Sequence, residues 1–331
     1  MNPSAVYYEP EALGFPLGRE LEKKFPAAPW IPIQSHNRID ELIQKPNSEF
    51  RNMKSFLIIG VRKTHKYVEN HKISDFLVPY TSSGCSAMCL YCYLVCNYNK
   101  CSYLRLFVNR EQMLDRLIKA SHKSERPCTY EIGSNSDLLL ENTITENLPW
   151  TIERFAEKGR GALTFPTKFS MVEPLLGLRH EGKTIFRMSV NPQDIIRTVE
   201  IGTSPLQKRI AATNEMARAG YPVGLLIAPV IFLPDWREQY RGLLDTLEQE
   251  LTPRVKESMT LEVIFMTYSA IHRMINAEAF PDGVELFDKE LMTGRGRGKY
   301  WYKEAVRKEG EAFFKEELGR RFPKAKLVYI V

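Results

Sequence analysis

The 331-residue chain lacks any apolar run that approaches the roughly 20 residues needed to cross a bilayer. Its first residues, Met1-Asn2-Pro3-Ser4, show no signal-peptide pattern of charge followed by an apolar stretch, so we expect a cytoplasmic protein without membrane contact. Internal repeats and low-complexity linkers are also absent. The charge excess is small, because 46 Lys and Arg oppose 40 Asp and Glu for a net charge of +6, and it does not require a polyanionic partner.

Cysteine is scarce and unevenly placed. Only six cysteines occur, and five of them lie between residues 85 and 101. This clustering in a chain of this size argues against a disulfide framework and favours a reduced metal or redox site. Cys85, Cys89 and Cys92 have C-x3-C-x2-C spacing, with the aromatic Tyr91 before the last cysteine. Three thiolates on one loop can bind a single iron–sulfur cluster and leave one iron without a protein ligand.

Zinc is the alternative occupant of this segment. Structural zinc usually takes four ligands from paired cysteine or histidine units. Cys96 and Cys101 lie close by, but no second C-x-x-C pair occurs and the nearest downstream histidine is His122. The number and spacing of the ligands therefore favour the cluster over zinc.

Short apolar and β-branched runs alternate with amphipathic stretches along most of the chain. The runs predict six strands, at Phe76–Tyr80, Thr129–Ile132, Ala162–Phe165, Thr184–Val190, Val223–Val230 and Leu261–Phe265. The stretches between them predict helices at Arg110–Ala120, Asn147–Lys158, Lys168–Leu178, Pro205–Ala219 and Trp236–Leu251. Alternating strands and helices form parallel βαβ units. We therefore predict an α/β fold, a partial (β/α)6-type TIM barrel with N- and C-terminal extensions and its active site at the carboxyl ends of the strands.

We divide the chain into three segments. Residues 1–70 form an N-terminal extension packed on the barrel, residues 71–270 the partial barrel, and residues 271–331 a C-terminal β-hairpin and helix. The stretch Gly294–Lys303 combines four cations, three glycines before position 299 and three aromatics. Cations neutralise phosphates and aromatics stack on bases, so this basic hairpin predicts a nucleic-acid contact. A solvated turn leading into the C-terminal helix is the alternative.

An ordered set of motifs resembles the spore photoproduct lyases, a family of the radical S-adenosylmethionine superfamily. Besides the cysteine motif, the resemblance rests on Tyr8–Gly18, Gly60–Arg62, Cys92–Leu94, Glu131–Asp137, Thr167–Lys168, Ser189–Asn191, Gly202–Ser204, Ala219–Gly224, Ala228–Pro229, Gly298–Tyr300 and Phe322–Ala325. It implies a DNA-repair lyase that reverts spore photoproduct, 5-thyminyl-5,6-dihydrothymine, to two thymines. In that reaction a 5′-deoxyadenosyl radical removes hydrogen from C6, the methylene bridge breaks by β-scission, and a cysteine returns a hydrogen atom.

The resemblance implies cofactors and their ligands. Cys85, Cys89 and Cys92 would bind a [4Fe–4S] cluster. S-adenosylmethionine would contact Ser136, Lys168 and Ser189. Each of these three residues, taken alone, is also explained by capping or by surface hydrogen bonding.

Further residues match family positions in the reaction and in DNA binding. Tyr91 and Tyr93 match tyrosines that assist hydrogen transfer, although either can simply pack over the cluster. Arg295, Lys299 and Tyr300 match a hairpin that inserts into the duplex beside the lesion, with glycine and arginine here where the family often has an aromatic. The implied partners are double-stranded DNA carrying a thymine dimer lesion and a reductant such as flavodoxin or ferredoxin, and the protein would act as a monomer.

Ser134 departs from the family pattern. It occupies the position of the cysteine that returns the hydrogen atom, and a serine O–H bond is much stronger than a thiol S–H bond. We therefore predict Cys96, four residues after Cys92, as the substitute donor, with Cys101 as the second candidate. Cys128 precedes a predicted strand and is expected to lie far from that strand's carboxyl end.

Two other functions stay open at this point. Because of the Ser134 departure, a radical S-adenosylmethionine enzyme that acts on another nucleotide or on a small substrate stays an alternative. The cysteine cluster together with the basic hairpin is also compatible with a non-catalytic zinc- or cluster-bearing nucleic-acid-binding protein.

Overall fold

A computed structural model describes residues 2–95 and 101–331 of the chain. Its strands are β1 (Ala5–Tyr8), β2 (Trp30–Pro32), β3 (Phe56–Gly60), β4 (Val68–Glu69), β5 (Phe76–Val78), β6 (Ser82–Ser83), β7 (Leu104–Phe107), β8 (Thr129–Ile132), β9 (Ala162–Thr167), β10 (Thr184–Val190), β11 (Val223–Val230), β12 (Thr260–Phe265), β13 (Thr267–Ser269), β14 (Met292–Gly294), β15 (Lys299–Tyr302) and β16 (Lys326–Ile330). Its α-helices span Pro16–Lys24, Asp40–Gln44, Phe50–Met53, Arg110–Lys123, Leu138–Asn142, Asn147–Lys158, Gln193–Thr198, Leu206–Arg218, Trp236–Glu250, Pro253–Ser258, Ala270–Ala279 and Glu304–Arg321, and short 3-10 helices span Pro10–Gly14, Asn47–Glu49 and Glu173–Leu175.

An eight-stranded sheet forms the body of the molecule, with the strand order β16-β12-β11-β10-β9-β8-β5-β4. The six central strands, β5 and β8 to β12, are all parallel, and β16 adds a further parallel strand next to β12. Only β4, at the other edge, is antiparallel to its neighbour. The predicted partial (β/α)6-type barrel is therefore confirmed, and all six predicted strands are present within two residues of their predicted ends.

The predicted helix at Lys168–Leu178 is wrong. This connection between β9 and β10 contains only the 3-10 helix Glu173–Leu175. Pro174 lacks a backbone N–H, and the backbone N–H groups of Lys168 and Ser170 donate to the side chains of Asp137 and Ser204 instead of to a helix. Tertiary hydrogen bonds thus outweigh the amphipathic pattern in this stretch.

A second sheet contains five strands in the order β2-β1-β3-β7-β6. It contains the N-terminal strands. Its apolar residues, among them Val6, Leu57 and Leu106, form a hydrophobic cluster separate from the core of the barrel. β6 and β7 come after residue 70, but β7 pairs with the N-terminal strand β3, and β6 extends the same sheet by pairing with β7. The division of the chain at residues 70 and 270 stays a prediction, and the strand pairing ties both sides of residue 70 into one sheet.

The C-terminal region supplies a three-stranded antiparallel sheet, β13-β15-β14, and the helix Glu304–Arg321. The predicted basic hairpin is present as β14 and β15. Its turn needs left-handed backbone conformations at Gly296 and Gly298, whose φ angles are 84° and 68°, and Arg297 between them has φ 53°. Glycine adopts such angles without steric cost, which explains the alternating glycines of this segment.

Among the helices of the described ranges, none combines the length and the apolar character that crossing a membrane would require.

Candidate active site

A cavity of about 370 Å³ lies at the carboxyl ends of the barrel strands. One wall is the cysteine loop, which carries Cys85, Cys89 and Cys92. The other walls come from residues in or just after β8 to β12: Gly133, Ser134, Ser136, Asp137, Pro166, Thr167, Lys168, Phe169, Ser189, Leu226, Ala228, Pro229, Ile264, Phe265, Met266 and Thr267. This is the face at which (β/α) barrels carry their active sites.

The cysteine loop is attached to both sheets by backbone hydrogen bonds. It leaves β6 through Gly84, whose φ of 75° and tight contact with the Tyr103 carbonyl exclude a Cβ. The Gly84 N–H donates to the Asn135 carbonyl after β8, and the Cys85 N–H donates to the Ser102 carbonyl. Further along, the N–H groups of Met88 and Leu90 donate to carbonyls of the barrel. The loop is thus fixed against the barrel rim.

Lys54 lies buried beneath this loop, and no sequence pattern marks it. Its ammonium group donates to the carbonyl of Cys85, 2.8 Å away, and to the carbonyl and hydroxyl of Ser102, at 2.9 and 2.8 Å. Burial lowers the pKa of Lys54, while its proximity to the three cysteines of the loop opposes that shift. Lys54 therefore joins the beginning of the cysteine loop to the segment that follows it and places a cation near the thiols.

The three cysteines are half-buried around one cavity, and desolvation raises the pKa of the Cys85 thiol to about 12. Thiols in such an apolar setting need a metal to hold them as thiolates. Within residues 2–95 and 101–331, no three His, Cys, Asp or Glu side chains are grouped to hold a single metal ion. A tetranuclear cluster is wider than one ion, so three cysteines spread around a shared cavity fit it in number and chemistry.

Ser136, Lys168 and Ser189 all line this cavity. The Lys168 ammonium donates to the Ser189 hydroxyl at 2.8 Å and to the Ala228 carbonyl at 3.1 Å. Ser136 Oγ lies 2.8 Å from the hydroxyl of Ser82, behind the cavity wall. The structure brings these three residues to one space from three different strand ends.

Two buried carboxylates, one in the cavity wall and one beside Lys168, were not singled out from the sequence. Asp137 caps the helix Leu138–Asn142 and accepts from the Thr167 hydroxyl and the Lys168 backbone N–H. Burial raises the pKa of Asp137. An aspartate directly before an apolar helical run is an N-cap signal that was available in the sequence.

Glu200 is the second buried carboxylate, and its side chain is fully inaccessible. Its Oε2 accepts from Arg209 Nη2 at 2.6 Å, and its Oε1 lies 3.8 Å from the Lys168 ammonium. Burial acts to raise the pKa of Glu200, but the charges of Arg209 and Lys168 outweigh it and lower the pKa. No local pattern marks this residue, because its partners are distant in sequence or buried in the barrel.

Tyr91 and Tyr93 both line the cavity but have different environments. The Tyr91 hydroxyl donates to Glu200, and burial together with that carboxylate raises the pKa of Tyr91 well above 10. Tyr93 is 48% exposed, and its hydroxyl donates to the carbonyl of Ser134. Tyr91 is thus fixed inside the wall, whereas Tyr93 lies at the open side of the cavity beside Ser134.

Comparison with known proteins adds to this geometry. Residues 1–331 match the family model described as spore photoproduct lyase. The chain belongs to the spore photoproduct lyase family. It is similar to the spore photoproduct lyase of Bacillus subtilis (strain 168), at 36% identity over 99% of this chain and 98% of that protein. It is also similar to that of Geobacillus sp. (strain Y412MC61), at 31% identity over 99% and 98% of the two chains.

A solved structure of the family resembles this fold throughout. It is a doubly substituted spore photoproduct lyase with bound AdoMet and dinucleoside spore photoproduct. It has a TM-score of 0.91 and 30% sequence identity, and the likeness covers 99% of each chain.

The three cysteines outside the C-x3-C-x2-C motif differ in their position relative to the cavity. Cys96 lies outside the described residues. Cys101 is buried in a core cluster with Tyr7, Ile58 and other residues of the five-stranded sheet, and it does not line the cavity. Cys128 is buried at the start of β8, where its thiol donates to the Arg126 carbonyl, and it lies at the opposite end of that strand from the cavity, as expected.

The hairpin residues predicted to contact DNA are not part of the cavity wall. Arg295 and Lys299 are exposed at the two ends of the hairpin turn. Tyr300 is half-buried, and its ring packs against Phe287 with 4.6 Å between the ring centroids. The hairpin is nevertheless adjacent to the cavity, because β15 pairs with β13 and the first residue of β13, Thr267, lines it.

Proposed function

We propose that this protein is a radical S-adenosylmethionine DNA-repair lyase that reverts spore photoproduct to two thymines. The observation that carries the proposal is the arrangement at one cavity of the three-cysteine loop and Ser136, Lys168 and Ser189, in a chain that belongs over its full length to the spore photoproduct lyase family. The similar solved structure has bound AdoMet and dinucleoside spore photoproduct, which supports the same ligands here.

The proposed cofactors are a [4Fe–4S] cluster held by Cys85, Cys89 and Cys92, and S-adenosylmethionine. Bound together and reduced, they would supply the 5′-deoxyadenosyl radical that removes hydrogen from C6 of the lesion. A reductant such as flavodoxin or ferredoxin would provide the electron.

The chain's own residues would orient the sulfonium cofactor. Two of the three N–H donors of Lys168 contact Ser189 and Ala228, which fixes the ammonium at the cavity wall and suits it to bind a carboxylate. Ser136 and Ser189 offer hydroxyls to ribose or amino groups. The Tyr91 hydroxyl is held by Glu200, so this ring is positioned for packing, while Tyr93 is positioned at the open side for hydrogen transfer.

We propose Cys96 as the residue that returns the hydrogen atom, since Ser134 at the cavity wall cannot do so readily. The buried position of Cys101, away from the cavity, makes it the weaker candidate. A Cys96→Ala variant is expected to give trapped radical by-products in place of clean repair, and Cys128→Ala serves as the matched control. Clean repair by Cys96→Ala would remove this role, and by-products from Cys101→Ala would transfer it there.

Double-stranded DNA is the proposed macromolecular substrate, bound in part by the basic hairpin that carries Arg295, Lys299 and Tyr300. Exposed cations of this kind neutralise phosphates and make binding weaken with salt. A lesion that already lacks normal stacking lowers the cost of moving it out of the duplex into the cavity.

The direct test is anaerobic incubation of the reconstituted protein with dinucleotide spore photoproduct, S-adenosylmethionine and dithionite. We expect thymidylyl-thymidine from the wild-type protein and none from Cys89→Ala. Deoxyadenosine without thymidylyl-thymidine would instead favour a radical enzyme with another substrate, the alternative that Ser134 suggests. Absence of both products with iron and sulfide present would favour a non-catalytic nucleic-acid-binding protein.

A further inference from the structure

The three-stranded sheet β13-β15-β14 presents two different faces. In an antiparallel pair, residues directly opposite each other place their side chains on the same face, and successive residues alternate between faces. Tyr300 is opposite Tyr268, and Tyr268 is 3% exposed. Tyr302, two residues further along β15, is also buried, and its hydroxyl accepts from the Phe232 N–H. Tyr300 therefore belongs to the face that packs on the protein.

The opposite face of the sheet borders the cavity. Trp301 is opposite Thr267 on one side and Thr293 on the other. Both threonines are exposed, and Thr267 lines the cavity. Since paired strands lie about 5 Å apart, the backbone of Trp301 is one strand away from the cavity wall.

The guanidinium groups of two arginines lie close to the Trp301 ring. The Arg295 guanidinium carbon lies 4.7 Å from the ring centroid, and that of Arg307, on the helix Glu304–Arg321, lies 5.3 Å from it. Lys299 is on the same face as Trp301, two residues before it. Among the residues that the structure describes, none of these three cations forms an ion pair with a carboxylate. Their charges are thus available to an external anion.

We propose that Arg295, Lys299, Trp301 and Arg307 form a surface, here called the Trp301 surface, that binds the DNA strand flanking the lesion. The proposal rests on the proposed function and assigns the aromatic contact to Trp301 in place of Tyr300. An aromatic ring stacks on an unpaired base regardless of sequence, and guanidinium groups beside it bind the adjoining phosphates. The helix Glu304–Arg321 contributes to DNA binding through Arg307.

A comparison of two substrates tests the surface. The KM for a lesion-containing duplex and the KM for dinucleoside spore photoproduct are measured for the wild-type protein and for Trp301→Leu, Tyr300→Leu and Trp30→Leu. The dinucleoside has no flanking nucleotides, so it lacks the part of the DNA that the Trp301 surface is proposed to bind. Trp301→Leu is expected to raise the ratio of the duplex KM to the dinucleoside KM about tenfold, the effect of losing one stacked base. Trp30 is a half-buried tryptophan in the five-stranded sheet, so Trp30→Leu controls for the loss of a tryptophan elsewhere.

A binding measurement without turnover keeps the proposal testable if the wild-type protein repairs neither substrate. Titration of the protein with fluorescein-labelled duplex at several salt concentrations gives the affinity and its salt dependence. Arg307→Gln is expected to reduce the slope of log affinity against log salt by about one. A normal duplex affinity and slope in both Trp301→Leu and Arg307→Gln would overturn the proposal, as would a raised KM ratio in Tyr300→Leu with none in Trp301→Leu. Failure of the proposed function would show separately, as absence of dinucleoside turnover.

Discussion

Lys168 shows how much of the site depends on one side chain. Its ammonium contacts Ser189 and Ala228 from β10 and β11, and its backbone N–H contacts Asp137 after β8. A residue that joins three strand ends in this way both shapes the cavity and carries its positive charge. We infer that this charge binds the carboxylate of S-adenosylmethionine.

Replacement of Lys168 by methionine is expected to weaken S-adenosylmethionine binding about tenfold to a hundredfold, because a charge-assisted hydrogen bond is lost. Calorimetric titration of the reconstituted protein measures this without turnover. Lys119→Met changes an exposed lysine on the helix Arg110–Lys123 and is the matched control. Equal affinities for the two variants would show that Lys168 does not contact the cofactor.

The Glu9 carboxylate allows a prediction about folding stability that does not depend on the proposed function. Burial acts to raise the pKa of Glu9, but hydrogen bonds from His36 and from the Val61 N–H outweigh it and lower the pKa from 4.5 to about 2. The folded state thus binds this proton more weakly than the unfolded state. The resulting stability is fully present above the unfolded value and is lost as the pH falls through the folded value.

Glu9→Gln is therefore expected to lower the free energy of unfolding by about 1–2 kcal/mol near neutral pH, less than the full pKa shift implies because Glu9 borders a surface cavity. Urea unfolding measured from about pH 7 down to about pH 3 should show this difference shrinking below about pH 4.5. A difference that is constant with pH would mean that the carboxylate charge contributes nothing.

The positions of strands and helices could be predicted from the sequence where a local residue pattern determines them. The six barrel strands are apolar and bounded by turn residues, so their positions were predictable. The segment Lys168–Leu178 has a helical pattern but uses its backbone N–H groups for contacts with Asp137 and Ser204, residues distant in the chain. Nothing in a local window reports such partners.

The C-terminal helix offers a matched pair of glycines. A Cβ at Gly310 would lie 2.5 Å from Phe232 and 3.0 Å from Phe265, so the helix packs tightly on the barrel at this glycine. At Gly319, in the same helix, a Cβ would meet nothing within 4 Å. Substitution of Gly310 therefore tests helix packing, and the same substitution at Gly319 tests helix propensity alone.

Gly310→Ala is expected to destabilise the protein by about 1–3 kcal/mol through overpacking. Gly319→Ala is expected to stabilise it by up to about 1 kcal/mol, because alanine is the better helix former. Thermal unfolding of both variants beside the wild-type protein checks the signs. A stabilising Gly310→Ala would mean that the helix does not pack closely on Phe232.

Both sheets of the molecule contribute residues to the site. The cysteine loop lies between β6 and β7 of the five-stranded sheet, whereas the cavity it borders belongs to the barrel. The cysteine spacing predicted the cluster ligands, and the family resemblance indicated Ser136, Lys168 and Ser189. Lys54, Glu200 and Arg209 were not predicted, because their importance comes from contacts between segments that only the folded chain brings together.

We propose that this cavity directs a deoxyadenosyl radical to C6 of spore photoproduct. The decisive measurement is incubation with dinucleotide spore photoproduct deuterated at C6, followed by mass spectrometry of the nucleosides. We expect deuterium in 5′-deoxyadenosine or in recovered S-adenosylmethionine, together with thymidylyl-thymidine. Formation of unlabelled deoxyadenosine with the deuterated lesion recovered intact would contradict it.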